Sequence, residues 1–164
     1  CGANLRRPSS WMGCAASAAG CPLRTACAVT RRMSADFLDT NVILYLLDDG
    51  PKADRAAEVV ASGGTISVQV LNETLANCIR KARMSWHEAA EFLAEVQAVC
   101  PVCDLTAEVH RVGLALGARY GFSVYDAMIV AAALVNGCDR LLSEDMQDGM
   151  LVEGRLRIID PFQV

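Results

Sequence analysis

Residues 36–48 read DFLDTNVILYLLD and place a carboxylate, Asp39, between two apolar runs. The pair Phe37-Leu38 before it is typical of a short buried strand, and residues 42–45 after it are typical of a helix. An Asx residue at such a turn often caps the helix that follows. A carboxylate at the end of a buried strand is also well placed to bind a cation, so the stretch admits both explanations.

The chain after Met33 alternates short apolar runs with longer stretches of helical period. This pattern is typical of parallel strands joined by helices. We therefore expect an α/β fold in which a short parallel sheet is flanked by helices. The predicted strands are residues 36–39, 65–67, 101–105, 140–143 and 157–159.

Helix signals fill the intervals between these strands. Pro51 opens a predicted helix over residues 51–61, which Gly63 and Gly64 end. Further helices are predicted from residue 70, after a capping box at residues 85–88, over 107–118 and over 124–135. The last of these reads VYDAMIVAAALV and is apolar almost all round, which predicts a helix buried at the centre of the fold.

Residues 34–164 are predicted to form one domain, because a 164-residue chain with 53% hydrophobic and 21% charged side chains suits a single packed core. Residues 1–33 contain no acid and no periodic apolar pattern. We expect them to be a disordered N-terminal extension, left by an over-extended gene start or by cloning. A secretory signal is the alternative, which Pro22 and Arg24 disfavour because they interrupt the apolar stretch.

The predicted domain is strongly acidic. All 19 acidic residues lie after Met33, together with ten of the 15 basic residues, so residues 34–164 carry a net charge of −9. That charge disfavours binding to nucleic acid through a broad basic surface. No apolar run reaches the roughly 20 residues that span a bilayer. Four irregularly spaced cysteines remain in this part of the chain, so we expect a soluble, cytoplasmic protein with no membrane partner.

Four acidic residues are predicted to reach one edge of the sheet. Asp39 ends the first strand, Glu73 lies early in the helix after the second, and Asp145 follows the fourth. Asp126 joins them if the buried helix starts at that edge. Ligands of open α/β sheets bind beyond the carboxyl ends of the strands. Carboxylates gathered there repel one another and need cations, and their hard oxygen atoms suit Mg²⁺ or Mn²⁺.

Each acid also has a simpler explanation. Asp39 can cap a helix, and Glu73 can belong to a solvated helix face. Asp126 completes an S-x-x-D capping box with Ser123, and Asp145 lies in an acidic loop. The conjunction of four acids at one edge nevertheless favours a metal site.

Two other patterns resemble metal sites. Residues 87–91, HEAAE, lack the second histidine of the zinc motif H-E-x-x-H and are interpreted as a polar helix face. Residues 100–103, CPVC, have C-x-x-C spacing without a second such pair or a pair of histidines, and are interpreted as structural. The chain has no G-x-G-x-x-G, P-loop or G-x-S-x-G motif, which leaves nucleotide-cofactor and serine-hydrolase functions without support.

Four blocks of the sequence resemble the PIN domain family, and specifically the VapC-like toxins of bacterial type II toxin–antitoxin systems. The blocks read FLDTNVILYLLD, ISVQVLNETLAN, FSVYDAMIVAAALVNGCDRLLSEDMQDG and IIDPF. They follow the motif order and spacing of the family over nearly everything from Ser34 to the end of the chain.

The resemblance implies a PIN-like fold and a Mg²⁺-dependent endoribonuclease in which Mn²⁺ can substitute. It implies catalytic and metal-binding roles for the four acids at the predicted edge, Asp39, Glu73, Asp126 and Asp145. It implies supporting roles for Asn41, through a hydrogen bond, and for the hydroxyl of Ser143. Glu144 competes with Asp145 for the fourth position, and we favour Asp145 because it keeps the spacing of the family from the strand and hydroxyl.

RNA contacts are predicted at Arg80, Lys81 and Arg83, at the end of the helix that carries Glu73, although cations are also favoured there by the helix dipole. The resemblance further implies an RNA substrate, a small cognate antitoxin that covers the acidic crevice, and a homodimer. Two alternatives stay open. One is a catalytically silent PIN-fold module that binds RNA or protein, and the other is a metal-dependent phosphohydrolase that acts on small phosphate esters.

Overall fold

The computed structural model describes residues 36–163, so the predicted extension over residues 1–33 lies outside the described residues. The helices in this part of the chain are α1 (Thr40–Leu44), α2 (Pro51–Ala61), α3 (Val68–Arg80), α4 (Trp86–Val99), α5 (Ala107–Tyr120) and α6 (Val124–Val135). The strands are β1 (Asp36–Leu38), β2 (Ile66–Ser67), β3 (Val102–Cys103), β4 (Arg140–Leu142), β5 (Leu151–Val152) and β6 (Leu156–Ile159).

The central sheet has the strand order β1-β4-β6-β5. β1, β4 and β6 are parallel, and β5 pairs antiparallel with β6. A second parallel pair, β2 with β3, joins β1 through a bridge between Phe37 and Thr65. The predicted α/β class, with a mostly parallel sheet flanked by helices, is therefore confirmed.

The predicted and observed elements differ in a few places. The bounds of α2 and α6 are as predicted, and the capping box of Ser85 and Glu88 is present at the start of α4. α3 begins two residues earlier than predicted because Ser67 caps it by accepting the main-chain N–H of Val70. α5 runs to Tyr120, where Gly121 adopts a left-handed conformation at φ 76°. β5 was not predicted, since two residues are too short for an alternating pattern.

α6 is the central helix of the fold, as its sequence predicts. Residues 127–134 are all buried, and the helix packs against α5, α3 and β4. Among residues 36–163, no single helix is long and apolar enough to cross a membrane, although α5 and α6 together have that length and composition across a bend of 118°.

The pairing of β1 with β4 sets the geometry at the carboxyl ends of the strands. Asp36 pairs with Arg140 in register, and the two side chains form a two-pronged ion pair with N–O distances of 2.5 Å. At the other end, the main-chain N–H of Asp39 donates to the carbonyl oxygen of Leu142 at 3.0 Å. The residues that follow the two strands, Asp39 and Ser143, are thereby brought side by side.

Gly64 is required by the packing around β1. A Cβ at position 64 would lie 2.6 Å from Cγ of Leu38, a side chain that is fully buried. We expect Gly64→Ala to lower the free energy of unfolding by about 1–3 kcal/mol, the usual cost of overpacking a core. Urea unfolding followed by circular dichroism measures this value.

Gly117→Ala is the matched control. A Cβ there would meet its nearest neighbour, Cβ of Ala127, at an ordinary 3.5 Å. Because alanine favours helix by up to about 1 kcal/mol over glycine, this variant should be neutral or stabilising. Equal effects of the two substitutions would contradict the proposed packing at Gly64.

Candidate active site

Asp39 lies at the centre of the candidate site and is only 4% exposed. It caps α1, since its Oδ1 accepts the main-chain N–H of Thr40 at 2.6 Å. Its Oδ2 accepts the hydroxyl of Ser143 at 2.6 Å and Nδ2 of Asn41 at 3.2 Å. Asn41 Nδ2 also donates to Ser143 Oγ at 3.3 Å. Both residues predicted to support the site therefore contact Asp39, and capping accounts for one of its two oxygen atoms.

The environment of Asp39 favours a proton or a cation. Burial raises the pKa of this carboxyl to about 6, against the opposing effect of the hydrogen bonds from Ser143 and Thr40. The charges of Asp126 and Glu73 raise the pKa further. Three of the four predicted acids are therefore near enough for their charges to interact.

Glu73 lies on α3 and is half-buried. Its Oε1 accepts Nε2 of Gln69 at 2.7 Å, and its Oε2 accepts the hydroxyl of Thr40 at 3.2 Å. Gln69 is itself buried, with 8% of its surface exposed, so the side of α3 that carries Glu73 is not a solvated helix face. Thr40 bonds to both Asp39 and Glu73 and thus joins the two acids.

Neither Thr40 nor Gln69 was singled out from the sequence as part of the site. Thr40 stands inside the D-T-N block that drew attention to its two neighbours. Gln69 precedes Glu73 by four residues, the spacing at which side chains on one helix meet. These spacings were the available signals, but the bond from Thr40 to Glu73 depends on how α1 packs against α3.

Asp126 lies in the first turn of α6, half-buried at the surface of the site. The cap of this helix uses its main chain, because Ser123 Oγ accepts the N–H of Asp126 at 3.2 Å. Its carboxylate makes no hydrogen bond to another residue in the range 36–163. Ser123 therefore caps the helix without the Asp126 side chain, so the capping box is incomplete and the carboxylate is available to a cation.

Glu144 and Asp145 have different surroundings. Glu144 accepts hydrogen bonds from Lys52 Nζ and Tyr45 Oη, and these two bonds, chiefly that from Lys52, lower the pKa of its carboxyl. Lys52 Nζ lies 4.9 Å from the centre of the Tyr45 ring. Asp145 is exposed in the bend after β4, and its carboxylate has no hydrogen-bond partner within the described part of the chain. Lys52 and Tyr45 therefore hold Glu144, while Asp145 is exposed two residues beyond Ser143, a position that we call the rim of the site.

The donor set of this site fits a hard divalent cation. It consists of the carboxylates of Asp39, Glu73 and Asp126, with Asp145 at the rim, and hard oxygen atoms are the preferred ligands of Mg²⁺ and Mn²⁺. Oδ1 of Asn41 is buried and lacks a hydrogen-bond partner, so it can take a water molecule or a cation. Among residues 36–163, no three acidic, histidine or cysteine side chains lie close enough together to hold one metal ion.

The predicted RNA contacts, Arg80, Lys81 and Arg83, are exposed at the end of α3. Arg80 is seven residues beyond Glu73, about 10 Å along the helix axis. None of the three forms an ion pair in the described part of the chain. Their placement is compatible both with phosphate contacts and with the helix dipole.

The two cysteines of the CPVC stretch are buried, as a structural role requires, while Pro101 and Val102 between them are exposed. Burial raises the pKa of the Cys100 and Cys103 thiols to about 11. Thiols of this kind are protonated at neutral pH and are poor metal ligands.

We expect Asp39 to make the metal-free fold less stable as pH rises. Its pKa is raised from 3.8 to about 6, so protonated Asp39 stabilises the fold below about pH 4, and this contribution is lost as pH rises through 6. The difference corresponds to about 3 kcal/mol. Urea unfolding in EDTA between pH 4.5 and 7.5 should show this dependence in wild type, and a smaller one in Asp39→Asn.

Asp39→Asn keeps the volume of the side chain and an oxygen that can cap α1, so it should fold. Mg²⁺ added at pH 7.5 should stabilise wild type more than the variant, because it neutralises the same charge. Parallel pH profiles of the two proteins would contradict the assigned environment of Asp39.

Comparison with known proteins agrees with this fold. A sequence model of the PIN domain matches residues 37–147. The chain is 16% identical to a protein of a toxin–antitoxin complex from Klebsiella pneumoniae, with a TM-score of 0.62 over 79% of this chain and 99% of that one. It is 24% identical to VapC20 of Mycobacterium tuberculosis, a sarcin-ricin loop cleaving toxin, with a TM-score of 0.56 over 67% of this chain and 89% of that one.

A further structure, VapBC2 from Rickettsia felis bound to a DNA fragment from its promoter, is 17% identical, with a TM-score of 0.57 over 76% of this chain and 98% of that one. None of the curated protein sequences is significantly similar to this chain. The structural likenesses show a shared fold, and the matched sequence model covers more than half of the chain. The chain therefore belongs to the PIN domain family.

Proposed function

We propose that this protein is a Mg²⁺-dependent endoribonuclease and the toxin of a toxin–antitoxin pair, with Mn²⁺ able to replace Mg²⁺. The observation that carries the proposal is the buried Asp39 carboxylate, whose pKa is raised by burial and by the charges of Asp126 and Glu73. Such a cluster at the carboxyl ends of parallel strands is stabilised by a divalent cation. Membership of the PIN domain family supports nuclease chemistry at this position.

The proposed reaction is hydrolysis of a phosphodiester bond. Water adds to phosphorus, the bond from phosphorus to the 3′ oxygen breaks, and that oxygen leaves with a proton, which yields a 5′-phosphate and a 3′-hydroxyl. A bound divalent cation would lower the pKa of the attacking water and neutralise charge on the phosphoryl oxygens. No 2′-hydroxyl and no histidine are required.

The side chains of the site have distinct tasks in this proposal. Asp39, Glu73 and Asp126 would hold the cation, and Asp145 would complete the set from the rim. Ser143 and Asn41 fix the orientation of Asp39 through the bonds at 2.6 and 3.2 Å. Such fixed neighbours keep ligands in position before the substrate binds.

Binding partners are part of the proposal. The net charge of −9 over residues 34–164 favours a basic segment as the inhibitor, and two structures of similar fold are toxin–antitoxin complexes. We infer a small cognate antitoxin that covers the acidic crevice, a homodimer as the assembly and the cytoplasm as the location. Arg80, Lys81 and Arg83 would contact RNA phosphates beside the site.

Two observations favour the second candidate, a PIN-fold module that binds RNA or protein without cleaving it. Asp145 is exposed and no three potential ligands of the described chain already converge on one point. In that case the acids would bind a basic partner rather than a metal.

Cleavage of total cellular RNA by the purified, antitoxin-free protein tests the proposal. We expect discrete fragments in Mg²⁺ or Mn²⁺, none in EDTA, and a loss of about 100-fold or more in Asp126→Asn, because several kcal/mol of transition-state stabilisation depends on the cation. Fragments should carry 5′-phosphates. A folded, metal-loaded protein that leaves RNA intact would favour the binding module, or the phosphohydrolase if it hydrolyses small phosphate esters.

Glu144→Gln and Asp145→Asn form a matched pair in the same assay. Since Lys52 and Tyr45 hold Glu144 outside the acid cluster, Asp145→Asn should lose the larger share of activity. The reverse order would reassign the fourth acid to Glu144.

A further inference from the structure

An open groove of about 410 Å³ lies beside the acid cluster. It is formed by residues at the starts of α5 and α6 together with one residue of α3, including Thr106, His110, Val124, Tyr125 and Gln69. We call this surface the aromatic groove, because a tyrosine ring and an imidazole line it.

The aromatic groove is continuous with the candidate active site. Gln69, which lines the groove, donates from Nε2 to Oε1 of Glu73 at 2.7 Å. Tyr125, on its other side, directly precedes Asp126 on α6. A chemical group bound in the groove would therefore lie next to a phosphodiester bond bound at the acid cluster.

The groove exposes large apolar side chains at the start of α6. Val124 is 70% exposed and Tyr125 is 61% exposed. Both directly precede Asp126, which carries one of the charges of the cluster. A flat tyrosine ring with an apolar neighbour, beside a charged group, suits a ligand that has both a flat face and a charged backbone.

The charge of the protein limits which interaction can bind a nucleic acid here. Residues 34–164 carry −9, so the overall field of the protein repels a polyanion. Stacking of bases on aromatic side chains is the alternative source of affinity for single-stranded nucleic acid, and it is independent of net charge. Tyr125 and His110 offer such faces, and Oε1 of Gln69 makes no hydrogen bond to another residue of the described chain, so it can accept one from a base.

We propose that the aromatic groove binds an unpaired nucleobase of the RNA substrate, stacked on Tyr125, immediately beside the phosphodiester held at the acids. The inference rests on the proposed function for the identity of the substrate. It adds a base-binding subsite, so that RNA is held by stacking at Tyr125 as well as by cations at the acids.

Fluorescence anisotropy with the full-length Asp39→Asn protein in EDTA tests stacking in this subsite without cleavage and without a bound metal. The probes are labelled hexaadenylate and a labelled abasic ribose-phosphate hexamer, which has the same backbone but no bases. Hexaadenylate should bind more tightly than the abasic hexamer. Tyr125→Leu should raise its Kd about fivefold to a hundredfold, while Tyr125→Phe, which keeps the ring, should change it little.

Leu151→Ala is the control. Leu151 is 46% exposed on β5 and lines neither the aromatic groove nor the groove that contains Arg80, so its loss should leave the Kd unchanged. A second readout avoids any effect of leucine at position 125 on the fold. RNA that contains 2-aminopurine is bound to the protein with Tyr125 in place, and stacking on the ring should quench its fluorescence.

Several results would overturn the inference. These are an unchanged Kd in Tyr125→Leu, an equal loss for the abasic hexamer, an equal loss in Leu151→Ala, or no quenching of 2-aminopurine. A Tyr125→Leu protein that binds RNA normally but changes from dimer to monomer in sedimentation would assign the groove to an interface between two copies. Normal RNA binding with loss of antitoxin binding would assign it to a peptide.

The two proposals fail separately. Ring-dependent RNA binding by a wild-type protein that does not cleave would keep the subsite and reject the nuclease. Metal-dependent cleavage with the same KM in wild type and Tyr125→Leu would keep the nuclease and reject the subsite.

Discussion

The hydrogen bond of 2.6 Å from Ser143 to Asp39 joins two residues that are 104 positions apart, and the geometry of the candidate site depends on it. It exists because β1 and β4 are adjacent parallel strands whose carboxyl ends meet at one edge of the sheet. The ion pair of Asp36 with Arg140 holds the same strands in register at their other end. A shift of one residue in this register would turn Asp39 away from Ser143.

Helix packing brings the other acids to this edge. α3 carries Glu73 to the start of α1, where Thr40 bonds to Glu73 with its hydroxyl and to Asp39 with its main chain. α6 is buried along most of its length and begins at the site, so Asp126 is at the boundary between the core and solvent. The fold therefore places Asp39 where burial and the charges of Asp126 and Glu73 raise the free energy of its charged form. A divalent cation would relieve this cost, which couples metal binding to stability.

Much of this arrangement could be predicted from local sequence. The bounds of α6 follow from the run VYDAMIVAAALV and its Ser123 cap, and the position of Asp39 follows from the change between apolar strand and apolar helix. The contacts of Thr40 and Gln69 with Glu73, and the hold of Lys52 and Tyr45 on Glu144, could not be predicted in the same way. Most of them join residues 33 to 99 positions apart, and they depend on how helices pack rather than on local spacing. β5 was missed because Leu151 and Val152 become a strand only by pairing with β6.

Calorimetric titration of Mn²⁺ into the antitoxin-free protein tests most directly whether the acid cluster is a metal centre. Wild type should show saturable binding at the site that is lost or greatly weakened in Asp39→Asn, Glu73→Gln and Asp126→Asn, while Glu58→Gln, a change of an exposed acid on α2, should leave it intact. Equal Mn²⁺ binding by wild type and the three site variants would show that the buried carboxylate of Asp39 caps a helix and does not hold a cation.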